Sequence, residues 1–97
     1  MSLVDVASGK DGAVVVTGEL DMAGVDFFLS AVSDKLVRGR PITIDLGGLT
    51  FIDSTGLQCL LMLSEEYEIV LRKPQPPIMR VLSITDVARW PGIRIEP

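Results

Sequence analysis

The period of the apolar positions changes several times along the chain, and each change marks an element. Leu3–Val6 and Ala13–Leu20 are runs rich in β-branched residues, parted by the turn formers Ser8-Gly9-Lys10-Asp11-Gly12. They read as two strands of a hairpin. From Met22 the spacing becomes helical. Val25, Phe28, Leu29, Val32 and Leu36 fall at i, i+3, i+4, i+7 and i+11, one stripe of an amphipathic helix. Arg38-Gly39-Arg40-Pro41 should end it, with glycine as the cap, basic residues near the negative helix terminus and proline beyond. Ile42, Ile44 and Leu46 then alternate as one face of a third strand, followed by a short turn at Gly47-Gly48. A helical run begins near Ser54, Glu68–Arg72 reads as a fourth strand, and Pro76-Pro77 open a helix with Ile78, Val81 and Leu82 inward. Ile93 and Ile95 alternate with Arg94 and Glu96 as a short final strand. Strands interleaved with helices predict an α/β fold, with one mixed sheet of four or five strands and helices packed on it.

Length and composition narrow this to one small domain over residues 1–97. A chain of 97 residues hides only roughly 60–70% of its surface on folding. With 47% hydrophobic and 23% charged residues it is globular rather than disordered. No apolar run reaches the ~20 residues of a membrane span, and no signal peptide is visible. The expectation is a soluble, cytoplasmic protein. The single cysteine, Cys59, excludes an internal disulfide, and the absence of histidine removes the commonest metal ligand and general base. Zinc sites and Ser-His catalysis are excluded. Net charge is −4, unevenly placed: residues 1–69 hold 11 acids against 4 bases, and residues 70–97 hold 2 against 5. An acidic N-terminal two-thirds argues against nucleic acid as partner and for a basic protein surface.

Chemistry concentrates in Phe51-Ile52-Asp53-Ser54-Thr55-Gly56-Leu57, where two hydroxyls stand between a carboxylate and the helical run. A helix N-terminus favours negative charge through its unpaired N–H groups and its dipole, so a hydroxyl there can carry a phosphate. Thr55 and Gln58 have the spacing of a capping box, which would occupy the Thr55 hydroxyl and leave Ser54 free, one position outside the helix. Read blandly, Ser54 is a second capping residue and Asp53 a favourable charge beside the helix end. The following helix carries two apolar stripes, Leu57-Leu60-Leu61 and Cys59-Met62-Leu63. The second is either buried as well or an exposed docking patch, for which methionine is suited. Catalytic readings do not hold. Asp53-Ser54-Thr55-Gly56 has one residue too many for the signature of small aspartic proteases, no acidic pair follows an early strand as in response receivers, and no glycine loop cradles phosphate.

The block Asp45-Leu46-Gly47-Gly48-Leu49-Thr50-Phe51-Ile52-Asp53-Ser54-Thr55-Gly56-Leu57 resembles the core of STAS domains, the family of bacterial anti-sigma-factor antagonists. Thr17-Gly18-Glu19-Leu20-Asp21 resembles the family's second strand and the turn after it. Val81-Leu82-Ser83-Ile84-Thr85-Asp86-Val87 resembles its last core helix and cap. The resemblance implies a non-enzymatic binding module without a cofactor of its own. Its partners would be an anti-sigma factor that is also a serine kinase, and a serine phosphatase. Ser54 would be the phosphorylated residue, with Thr55 the second choice. Asp21, Asp53, Ser54, Thr55, Gly56, Cys59, Met62 and Leu63 would form the partner surface. Neither nucleic acid nor membrane would bind. Against the family's pattern, the segment between Gly56 and Glu68 is short, and the usual C-terminal helix is missing. The other implied class is a stress-sensing, scaffold or ligand-binding STAS module never phosphorylated at Ser54.

Overall fold

The computed structural model describes residues 3–97. Its elements are β1 (Val4–Ser8), β2 (Val14–Leu20), α1 (Val25–Ser33), β3 (Ile42–Ile52), α2 (Ser54–Ser64), β4 (Ile69–Arg72), α3 (Pro76–Ile84), a 3-10 turn at Val87–Arg89 and β5 (Ile93–Glu96). The five strands lie in one sheet in chain order. β1 and β2 pair antiparallel as the hairpin the turn residues predict, and every later pairing is parallel. The expected mixed sheet with three helices is therefore present, with five strands.

Three successive crossovers that each step one strand the same way place their helices on the same face when each is right-handed. Burial agrees. Phe28 and Val32 of α1, Leu57 and Leu60 of α2, and Ile78 and Leu82 of α3 share one core with Val14, Val16, Ile44, Leu46, Ile69 and Leu71. Each such side chain contributes roughly 1.5–3 kcal/mol when removed from water. No helix adds a buried residue to the other face. There Val70 stands outside the core cluster, flanked in register by Thr43 and Arg94.

Two elements depart from expectation. α1 ends at Ser33, before Leu36, though Leu36 still packs on the core as part of the loop. More consequential is β3. Gly47-Gly48 is not a turn; the strand runs through it to Ile52. Between the pairs Val15↔Asp45 and Thr17↔Gly48, and again between Gly18↔Leu49 and Glu19↔Phe51, β3 advances one residue more than β2. Each extra residue resets the two-residue period. Inward positions therefore run Ile42, Ile44, Leu46, then Leu49 and Ile52, and Thr50 and Phe51 are turned out to solvent. The long strand carries the Asp53-Ser54 junction well past the end of β4, whose pairing with β3 stops at Asp45↔Arg72.

Candidate functional site

The junction of β3 and α2 is built around Asp53. Its backbone is extended (φ −103°, ψ −176°) while its carbonyl already accepts from Leu57 N at 3.0 Å, the geometry of an N-cap. Its carboxylate is used on both oxygens. Oδ1 accepts from Gly56 N at 2.9 Å, and Oδ2 accepts from Met22 N at 3.1 Å. One side chain thus closes the first turn of α2 and ties it to the loop between β2 and α1.

This corrects the expected cap. Thr55 is the second helical residue, half-buried, and neither its hydroxyl nor Gln58 makes a side-chain hydrogen bond among the described residues. Aspartate ranks with the strongest N-caps, and Asp53 reaches the third helical N–H from the extended conformation that a cap requires. The helix therefore begins one residue before Thr55. Ser54 is its first residue rather than a position outside it. The Ser54 side chain is exposed, without a hydrogen-bond partner among the described residues.

Asp21 is brought to the same end of the sheet. Its Oδ1 accepts from Ala23 N and Gly24 N, both at 3.1 Å, which folds the loop so that Met22 reaches Asp53. Gly56 is buried because helix and strand touch there. A Cβ on it would stand 2.6 Å from the Leu20 carbonyl oxygen and 2.8 Å from Ile52 Cγ1.

The stripe Cys59-Met62-Leu63 does not form one surface. Cys59 lies in the core, where burial, and secondarily the charge of Asp26, pushes its thiol up to about 11. Leu63 is half-buried against the core, and Met62 alone is open, at 57% exposure. Cys59 and Gly56 therefore support the site from within.

The exposed apolar side chains near Ser54 are instead Met22, 74% exposed, and Phe51, 47% exposed. Sequence reasoning missed both. Met22 is an apolar residue in a turn otherwise made of small and acidic residues. Phe51 faces out because the β3 bulges bring Ile52 in. Around Ser54 the site thus offers a free hydroxyl, two acids whose oxygens are largely engaged by backbone N–H groups, and two apolar flanks.

Comparison with known proteins agrees with this architecture. The profile of the family described as "Mlab, STAS domain" matches residues 4–95. Among curated proteins none matches the sequence. Among solved structures, the anti-sigma factor antagonist SpoIIAA in its unphosphorylated form superposes with a TM-score of 0.69 at 22% identity, covering 97% of this chain and 88% of that one. The murine Solute Carrier 26 family member A9 anion transporter, in its inward-facing state, superposes with a TM-score of 0.68, also at 22% identity. That match covers 89% of this chain and 16% of the transporter. At such identities the likeness speaks for the fold alone, one shared by a small antagonist and by part of a much larger transporter. Matched over residues 4–95, nearly its whole length, the chain belongs to the STAS-domain family.

Proposed function

We propose that the chain is a cytoplasmic anti-sigma-factor antagonist of a bacterial cell, a binding module switched by phosphorylation of Ser54. The observation that carries the reading is the free, exposed Ser54 hydroxyl at the first position of α2, beside an aspartate already committed as the cap. Unphosphorylated, the end of the sheet bearing Ser54, Asp21 and Asp53 docks on an anti-sigma factor that is also a serine kinase, and so frees the sigma factor. The kinase supplies the nucleotide and its metal. A phosphate on Ser54 adds about −1.5 to −2 charges next to the Asp53 carboxylate. Like charges gathered under an interface are costly, so the modified protein is released. A serine phosphatase restores binding. The likeness to SpoIIAA supports this reading through the fold.

The expected outcome is that Ser54→Ala stays folded and binds its partner constitutively, while Ser54→Asp binds much more weakly. Calorimetric titration of both variants against the partner recovered from the native cell, with mass-spectrometric mapping of phosphate on the wild type, is the test. Equal affinities would overturn the switch. The second reading, a scaffold or ligand-binding STAS module unphosphorylated at Ser54, is favoured by the shared fold of a transporter's domain. It requires that no phosphate be found on Ser54 in the cell.

A further inference from the structure

Two adjacent residues at the start of α2, Asp53 and Ser54, are equally suited to cap it. Aspartate and serine rank together as N-caps, and a cap oxygen can serve either the second or the third helical N–H, so the side chain of each residue has Gly56 N within its repertoire. Local preference therefore leaves the register of the helix open by one residue.

What settles the register lies outside α2. Every polar group of Asp53 is bonded: its N–H donates to the Leu20 carbonyl at 3.2 Å, its carbonyl accepts from Leu57 N at 3.0 Å, Oδ1 accepts from Gly56 N at 2.9 Å and Oδ2 from Met22 N at 3.1 Å. The bonds to Leu20 and Met22 run to the end of β2 and the loop beyond it, and hold Asp53 in the extended conformation of a cap. Ser54 has no such tether. Its hydroxyl is exposed and without a partner among the described residues.

The place of a hydroxyl in the first turn decides its chemistry. A serine that caps turns Oγ toward the N–H groups of its own helix and commits a lone pair there. At the first helical position Oγ stays in solvent with its lone pairs open. Phosphoryl transfer needs such an oxygen. Oγ attacks the γ-phosphorus of ATP, the bond from that phosphorus to the β,γ-bridging oxygen breaks, ADP leaves with the electron pair, and the hydroxyl proton passes to a base on the kinase.

We propose that Asp53 is the positioning residue of the switch: by holding the cap against Ser54 it sets the register of α2 and keeps the Ser54 hydroxyl free as the phosphoryl acceptor. The proposal rests on the reading of Ser54 given above and adds the residue that selects the acceptor. The same register leaves Thr55 half-buried, so Ser54 is the more accessible of the two hydroxyls.

The test needs the cap and the charge of Asp53 separated. Asp53→Ala removes both, Asp53→Asn keeps a cap oxygen without charge, and Asp53→Glu keeps the charge on a side chain one methylene too long for the cap. In Asp53→Ala the backbone shifts and HN–Hα coupling of Ser54 should change from helical to extended, and in Asp53→Asn they should stay helical. Ser54→Ala should leave the urea midpoint in place in the wild-type background and lower it in the Asp53→Ala background, where Ser54 has become the cap. With the kinase recovered from the native cell and ATP, phosphorylation of Asp53→Ala should be slower by about tenfold or more, and Asp53→Asn should recover most of the rate. Asp53→Glu should follow Asp53→Ala, and it carries the test if Asp53→Ala does not fold. A helical Ser54 in Asp53→Ala together with additive midpoints would overturn the proposal, as would equal slowing in Asp53→Ala and Asp53→Asn with Asp53→Glu at the wild-type rate, which would mean that the kinase reads charge. Absence of phosphate from the wild type would overturn the reading of Ser54 itself, a result distinct from either register outcome.

Discussion

Ser54 and Thr55 are adjacent hydroxyls with different surroundings, and the difference comes from Asp53. Because that aspartate caps the third N–H of α2 and also holds Met22 N, its removal loses two hydrogen bonds in separate segments. Asp53→Ala should therefore destabilise the domain by about 0.5–2 kcal/mol, the range for loss of an N-cap. Thr55→Ala should stay within about 0.5 kcal/mol of wild type, as for surface changes away from such features. Urea unfolding of both variants decides the matter, and a greater loss in Thr55→Ala would return the cap to Thr55. Met62 offers a second contrast. It is 57% exposed although its helical neighbour Cys59 is in the core. Met62→Lys should shift stability by no more than about 0.5 kcal/mol, whereas an ammonium forced into the core would unfold so small a domain. A melting temperature near that of the wild type is the expected result, and collapse of the fold would show that α2 buries both of its stripes.

The elements show most clearly what periodicity can and cannot disclose. At Gly56 two effects of opposite sign compete in one substitution. Glycine inside a helix costs about 1 kcal/mol relative to alanine, so propensity alone makes Gly56→Ala stabilising. The added methyl would meet the Leu20 carbonyl and Ile52 at less than 3 Å, and overpacking of this kind costs about 1–3 kcal/mol. The collision is with backbone on the strand that α2 must pack against, so net destabilisation is expected in denaturant unfolding. A gain in stability would mean that α2 moves off β2 freely. This contact was not legible in the sequence, because it depends on how closely a helix approaches a strand far away in the chain. The strands of the hairpin, the α1 stripe through Val32, and Ile42, Ile44 and Leu46 were legible, since in each the apolar period follows the geometry of one regular element. β3 beyond Leu46 was not. Two extra residues shift its phase, and their reason lies in pairing with β2 rather than in any local pattern. The cap was misplaced for a related cause: Thr55 and Gln58 satisfy a spacing rule, while Asp53 satisfies the geometry.

On the scale of the whole molecule, four parallel strands carry helices on one face, an arrangement parallel sheets seldom adopt because their strands usually need cover on both sides. The uncovered face is held partly by charge. Arg72 at the end of β4 reaches Asp11 in the hairpin turn at 2.5 Å and Asp45 of β3 at 3.3 Å, linking three parts of the chain that are distant in sequence. The hydrogen bond from Arg72 is the largest influence on Asp11, followed by that from the Ala13 N–H, and together they lower its carboxyl from 3.8 to about 2. A carboxyl held lower in the folded state stabilises the fold above its unfolded value, and that contribution fades as pH falls toward the folded value. Asp11→Asn should therefore be less stable than wild type at neutral pH by a margin constant down to about pH 4, then shrinking as pH approaches about 2. Asp11 is exposed and Arg72 only half-buried, so the margin should be small and should narrow further in about 1 M salt, where screening acts within a few ångströms. Denaturant midpoints of both proteins from neutral pH downward, at low and high salt, provide the measurement. A margin that persists unchanged at about pH 2, or that ignores salt, would place the role of Asp11 in the turn conformation of the hairpin rather than in its charge.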